Sequence, residues 1–343
     1  MSGTGFQLET MVAALKAAAE PTRLRILLLL AGSELNVKDL TRILGQSQPR
    51  ISRHVKLLTE GGLVERFREG SWVYCRLSDS AHGDLGRALL EVVDDDDPVY
   101  LRDRQRAAAL KGEREAAAQT YFREHAPDWD RIRALHVSEA EVETAMREVL
   151  EGDAAQVLVD LGTGTGRILE LFADRYRRSI GIDVNQAMLA YARSKLGGAG
   201  IANVQLRYGD IYNLFLHDAT ADAVVMHQVL HFLSDPGRAI REAARILAPG
   251  GRLLIVDFAP HGLEFLREEF AHERLGFADA QIRQWLSEAG LDLERSRELL
   301  PPAGASAEKL TVSLWLAGRG GAKAKSGERA MERETQLVQR VLS

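Results

Sequence analysis

Val157-Leu-Val-Asp-Leu-Gly-Thr-Gly-Thr-Gly166 decides the fold of the larger part of this 343-residue chain. An aliphatic run of strand character enters a turn with glycine at every second position, and Arg167–Arg175 then reads as a helix. Glycines at 162, 164 and 166 let backbone approach a ligand where a Cβ would collide, and the following helix start offers free N–H groups. Downstream, Ser179-Ile-Gly-Ile-Asp183, Val204-Gln-Leu-Arg-Tyr208, Ala223-Val-Val-Met226 and Arg252-Leu-Leu-Ile-Val-Asp257 supply four more candidate strands. Helical patterns lie between them, among them Ala187–Leu196 and Pro236–Leu247, and a late strand Thr311–Leu316 follows helix Asp279–Ala289. That alternation predicts right-handed crossovers and a parallel sheet covered on both faces, an α/β doubly wound domain.

The carboxylates fall where a nucleoside would need them. Asp183 ends the second strand, 17 residues beyond Gly166, where it can accept from both hydroxyls of a ribose. Asp210, in Tyr-Gly-Asp-Ile-Tyr, ends the third strand and is placed to accept from an exocyclic amine. Neither GxxxxGK[ST] nor GxGxxG occurs, although a dinucleotide-binding domain of the same architecture stays open at this point.

Working back towards the N-terminus, Asp94-Asp95-Asp96-Asp97-Pro98 punctuates the chain, because four like charges repel and proline breaks a helix. From Val99 to about Arg123 an Ala/Arg/Glu/Leu/Lys-rich stretch predicts one long helix, either a solvated linker or an arm across a dimer. Charge divides at the same place. Residues 1–93 carry 12 basic and 10 acidic side chains, 94–318 carry 26 and 36, and 319–343 carry 6 and 3, giving −5 in all.

In the basic head, Leu15–Leu30 reads as a helical segment, Val37–Leu44 as a second helix stopped by Gly45, and Gln48–Leu58 as a third capped by Ser47. Ile51, Val55 and Leu58 form a buried stripe on that third helix, leaving Gln48, Arg50, Ser52, Arg53, His54 and Lys56 outward. Leu63–Arg68 and Trp72–Leu77 alternate around Glu-Gly-Ser as a β-hairpin. Helix, turn, cationic helix and hairpin make a winged helix-turn-helix, the arrangement that enters a major groove of double-stranded DNA.

Two resemblances sharpen these readings. Ala-Glu-Pro-Thr-Arg-Leu-Arg-Ile, Gln-Ser-Gln-Pro-Arg-Ile-Ser-Arg-His and Gly-Leu-Val-Glu-Arg, within Leu15–Leu77, resemble the ArsR family of dimeric winged-helix regulators. The resemblance implies a homodimer in which Ser47, Gln48, Arg50, Ser52, Arg53 and His54 face DNA and Arg66 and Arg68 touch phosphates. Metal-sensing members place paired cysteines where this chain has Asn36 and Lys38, so no metal site is expected. Asp160–Gly166, Gly181–Met188, Gly209-Asp-Ile and Arg245–Arg252 resemble class I S-adenosylmethionine-dependent methyltransferases, with Tyr121-Phe122 and Asp128-Trp-Asp-Arg131 similar to their N-terminal lid. That resemblance implies S-adenosylmethionine or S-adenosylhomocysteine as cofactor. Asp160, Gly162, Thr163, Gly164 and Gly166 would hold its methionine part, Asp183 and Val184 the ribose side, Asp210 and Ile211 the adenine, and His227 would border the site.

The expected organisation is therefore a winged-helix domain over 1–93, an acidic linker and connecting helix over 94–120, a Rossmann-like methyltransferase domain over 121–318 and a flexible basic tail over 319–343. The single cysteine, Cys75, excludes a disulfide framework within the chain and leaves no nucleophile for cytosine-5 methylation in the second domain. The Met-Ser-Gly-Thr start lacks a secretory pattern, and the longest apolar run, Ile26–Ala31, is far below the ~20 residues a bilayer needs. A cytoplasmic protein is expected. The combination suggests a repressor whose DNA binding responds to the cofactor or, alternatively, an active small-molecule methyltransferase with an autoregulatory head. No catalytic residue stands out, His227 and His231 included.

Overall fold

The computed structural model describes residues 7–32, 34–69, 71–78, 80–129, 139–151, 156–301 and 309–320. The chain divides into two compact units, the first ending at Ala118 and the second beginning at Gln119.

In the first unit the helical segment expected over Leu15–Leu30 is two helices, α1 (Leu8–Ala18) and α2 (Pro21–Gly32). Pro21 has no N–H to continue α1, and Glu20 Oε2 accepts from Arg23 N at 2.9 Å to open α2 afresh. Strand β1 (Leu35–Asn36) leads into α3 (Val37–Leu44), where Asn36 Oδ1 caps the Asp39 N–H at 2.9 Å. Gly45, at φ 64°, ends α3 by returning its N–H to Thr41 O. Helix α4 (Gln48–Glu60) starts at Ser47, but the cap differs from expectation: the Ser47 carbonyl accepts from Arg50 and Ile51, while its hydroxyl makes no cap bond. Ile51, Val55 and Leu58 lie in the core with Ile26, Leu27, Leu40 and Ile43.

Strands β2 (Val64–Glu69) and β3 (Trp72–Leu77) pair antiparallel from Val64↔Leu77 to Glu69↔Trp72, and β1 joins the far side of β3. Helix α5 (Ala81–Leu90) follows, unannounced in the sequence because two glycines dilute its helical character. Gly83 is needed there: a Cβ would stand 1.6 Å from Ser78 O.

Helix α6 (Pro98–His125) opens with Asp97 Oδ1 accepting from Val99 N and Tyr100 N. A solvated linker does not describe its first two-thirds. Leu110 is buried in the head's core, Asp103 (1% exposed) takes a bidentate bond from Arg25 at 2.6 and 2.8 Å, Arg106 donates to Ile43 O, and Arg114 pairs with Asp39. Charge pairing does what apolar periodicity would do in an ordinary amphipathic helix.

The second unit holds a seven-stranded sheet in the order β6-β5-β4-β7-β8-β10-β9. After α7 (Glu139–Val149), the parallel part comprises β4 (Val157–Leu161), β5 (Arg178–Asp183), β6 (Val204–Tyr208), β7 (Ala221–His227) and β8 (Leu247–Phe258). Between them run α8 (Arg167–Leu171), shorter than predicted, α9 (Gln186–Gly198) and α10 (Pro236–Ile246). Then come α11 (Phe265–Glu269), α12 (Asp279–Glu288), β9 (Asp292–Leu299) and β10 (Val312–Gly318), which is antiparallel to both β8 and β9.

Both faces of the sheet are covered. Val159, Leu161, Val224 and Met226 meet α10 and α12, while Leu158, Ala223 and Val225 meet α7 and α8. Strand β9 escaped the sequence reading because Asp-Leu-Glu-Arg-Ser-Arg-Glu-Leu is charged, as suits an exposed edge that must refuse further strands. No helix of the described residues is long and apolar enough to cross a membrane. Of the expected basic tail, residues 321–343 lie outside the described residues.

Candidate functional site

The glycine turn after β4 folds back over β5. Gly162 and Thr163 donate their N–H groups to Ile182 O at 2.8 and 3.0 Å, and Gly166 N reaches Thr163 O at 2.8 Å. Gly162, Gly164 and Gly166 have φ of 73°, 51° and 77°, so the zigzag needs the conformation that glycine alone adopts freely. Asp160, 1% exposed, anchors the turn by accepting from Thr163 Oγ1 at 2.6 Å.

Asp183 lies beside this turn. Its Oδ2 accepts from Gly164 N at 2.8 Å and its Oδ1 from Asn185 N at 2.7 Å. Burial pushes the carboxyl up, and the N–H groups of Asn185, Gly164 and Val184 pull it back. The carboxylate keeps acceptor capacity for a ligand hydroxyl. Val184 is exposed. Asn185 caps α9 through Ala187 N and Met188 N, and its Nδ2 donates to Gln119 O at 3.0 Å and Gln119 Oε1 at 2.9 Å. Asp210 is exposed beyond the end of neighbouring β6, its Oδ1 accepting from Tyr212 N, and Ile211 packs on the core.

His227 ends β7 and is buried. Beyond it, in the turn Leu230–Phe232, His231 Nδ1 lies 2.7 Å from Asp257 Oδ1, both side chains enclosed. In the tautomer that donates from Nδ1 to this carboxyl group, Nε2 carries the ring's lone pair. Of the expected lid, Tyr121, Phe122 and Trp129 form one aromatic cluster with Phe232, ring centroids 4.7–6.4 Å apart. The Trp129 indole is 3.7 Å from where a Cβ on Gly164 would stand. Asp130 and Arg131 lie outside the described residues.

In the head, Ser47, Gln48, Arg50 and Arg53 are exposed along the start and outer face of α4, and Ser52 is half-buried. Arg66 and Arg68 are exposed on β2. His54 departs from the outward placement expected for it. Its side chain is 12% exposed, with Nδ1 3.5 Å from Glu20 Oε2, the carboxylate that opens α2.

With this geometry in place, comparison with known proteins is decisive at the level of domains. Residues 20–66 match the model of the arsR family of bacterial regulatory proteins, and residues 159–255 match that of the methyltransferase domain. The chain joins an ArsR-family domain to a class I methyltransferase domain. An arsenical resistance operon repressor of Escherichia coli (strain K12) is 53% identical over 64 residues, 18% of this chain and 55% of the repressor. A protein of Mycolicibacterium smegmatis named "Probable S-adenosylmethionine-dependent methyltransferase" is 31% identical over 156 residues, 44% of this chain and 58% of that one. An arsenite methyltransferase of Aquipseudomonas alcaligenes is 36% identical over 115 residues, 31% of this chain and 33% of its own. The chain thus spans about half the length, or less, of these relatives.

Several residues of the methyltransferase domain escaped the sequence reading. Asn185 was legible in principle, since an asparagine between a strand and a helical run is a cap. Asp257 reads in sequence as a strand end, and nothing in its neighbours announces His231, 26 residues away. In the first unit, Asp39 and Arg114 pair across 75 residues, equally silent in sequence.

Proposed function

We propose that this chain is a transcriptional repressor, homodimeric on double-stranded DNA, whose methyltransferase domain binds S-adenosylmethionine or S-adenosylhomocysteine and thereby changes affinity for the operator. The observation that carries the reading is α6. Its Asp103, Arg106 and Arg114 hold α2 and α3 of the ArsR-type domain, and its Gln119 is bonded by Asn185, two residues from Asp183. A ligand on Asp183 acts on a neighbour of the helix that steadies the helix-turn-helix. Linkage makes the effect reciprocal, with couplings of typically ~1–3 kcal/mol.

The residues present fit such a ligand. The turn Gly162–Gly166, with Asp160 and Thr163 bracing it, would present bare backbone to the methionine part, and Asp183 keeps acceptor capacity for the ribose. Val184 offers an apolar face, Asp210 and Ile211 lie at the adenine end, and His227 borders the amino-acid end. On DNA, Ser47, Gln48, Arg50, Ser52 and Arg53 meet base edges and Arg66 and Arg68 the phosphates. Dimerisation is supported by α1, whose Leu8, Met11, Val12 and Leu15 form an exposed apolar stripe at helical spacing. The functional divisions are 1–93 for DNA, 94–120 for connection and 121–318 for cofactor.

A second reading, an active small-molecule methyltransferase with an autoregulatory head, is favoured by the His231–Asp257 pair under the aromatic cluster. In the tautomer that donates from Nδ1 to Asp257, His231 Nε2 would accept the proton of a hydroxyl or amine being methylated. Arsenite does not suit it, since the chain's single cysteine is buried in β3 of the head.

One experiment separates the two. Promoter DNA is titrated with the protein in the presence of each cofactor form, and cofactor consumption is then followed with candidate acceptors. A shift in DNA affinity without consumption is expected. Consumption with unmoved DNA affinity overturns the repressor reading in favour of the enzyme.

A further inference from the structure

Gln228 is the first residue beyond β7, and two unfavourable features meet in it. Its φ is 49°, in the left-handed region that long side chains avoid. Its side chain is 6% exposed, and Nε2 has no hydrogen-bond partner among the described residues. A desolvated amide donor with nothing to donate to destabilises the fold that contains it. The fold itself does not ask for this side chain. What it uses is the Gln228 backbone N–H, which donates to Val256 O at 2.7 Å and which glycine would supply as well.

Position indicates what the amide is for. β5 and β6 lie on one side of β4, β7 and β8 on the other, so the strand order reverses between β4 and β7. At such a switch point α/β sheets take ligands in the crevice beyond the strand ends. Gly162 and Gln228 are the first residues past β4 and β7, and Val229 rests on Gly162, where a Cβ would stand 2.4 Å from Val229 Cγ2. Asp183 and Asp210 mark the ends of β5 and β6, on the other side of β4. A nucleoside held by those two carboxylates would have β4 and β7 beside it for its amino-acid end.

We propose that Gln228 is a ligand-binding residue whose carboxamide donates to the carboxylate at the amino-acid end of the cofactor. It thereby distinguishes nucleosides that carry this end from those that lack it. The assignment rests on the nucleoside reading of the site given above. It also explains why strain and an orphan donor persist together at one position: the ligand supplies the missing acceptor.

The test is calorimetry on the full chain with S-adenosylhomocysteine and with 5′-methylthioadenosine, which has the adenosine and thioether but no amino-acid end. Gln228→Gly relieves the backbone and removes the amide, and Gln228→Asn tolerates the left-handed region with a shorter amide. Without ligand, Gln228→Gly is expected to melt at or above the wild-type temperature. It should bind S-adenosylhomocysteine at least about tenfold more weakly, the scale of a lost hydrogen bond to a charged group. Its affinity for 5′-methylthioadenosine should stay within about twofold of wild type. Gln228→Asn should repeat this selective loss, so the proposal stays open to refutation if the glycine variant fails to fold. Equal losses for both nucleosides, or S-adenosylhomocysteine binding that both variants leave intact, overturns the Gln228 assignment alone. Absence of heat with S-adenosylhomocysteine in the wild type overturns the nucleoside reading and the assignment with it.

Discussion

Removing Arg25 tests whether α6 is held to the head by buried charge. Asp103 is 1% exposed and is bonded at both oxygens by Arg25, whose own side chain is 21% exposed. Arg25→Ala leaves a carboxylate without counter-charge in a place that water barely reaches, at a cost of about 3–5 kcal/mol. Asp103→Ala leaves a guanidinium that can turn to solvent, and costs about 1–2 kcal/mol. Replacing both, as Arg25→Met with Asp103→Leu, should return stability to within about 1 kcal/mol of wild type, since neither charge is then stranded.

Because the chain divides into two compact units, hydrogen exchange of α2 and α6 amides reads the head by itself and is the suitable assay. At about tenfold per 1.4 kcal/mol, Arg25→Ala should speed exchange by roughly two to three and a half decades, and Asp103→Ala by about one. Equal effects of the two single substitutions, or a double variant as damaged as Arg25→Ala, would refute the reasoning.

Three further outcomes are expected. Burial pushes the Cys75 thiol up to about 12, so it should resist a disulfide reagent at about pH 8 until denaturant exposes it. Burial, reinforced by Arg23, Arg50 and Arg53 against the pull of Glu20, holds His54 below its ordinary 6.5. The unfolded chain then binds the extra proton, and the stability due to a neutral His54 is present above pH 6.5 and lost as pH falls through the folded value. His54→Gln should flatten that part of the pH dependence of α4 exchange. Finally, Arg53→Ala should weaken operator binding by about 1–3 kcal/mol and relax specificity at one position, whereas Arg66→Ala should weaken all DNA alike and lower the salt slope by about 1. Gel shifts over a salt series read both.

What the sequence by itself determined is local in cause. Val157–Gly166 specifies strand and turn because aliphatic side chains and unbranched glycines restrict their own backbone, and the stop at Gly45 and the opening of α6 at Pro98 rest on the same intrinsic preferences. The Ile51, Val55, Leu58 stripe likewise announced which side of α4 is buried. The tertiary structure decided whatever depends on a partner far along the chain. The docking of α6 through Asp103 and Arg25 spans 78 residues, and the His231–Asp257 pair spans 26. The inward turn of His54 and the charged edge strand β9 belong to the same class, as do the strain and orphan amide of Gln228. The reason is physical: backbone preference and periodicity act over a few residues, whereas desolvation and charge pairing depend on which distant groups the fold brings within reach.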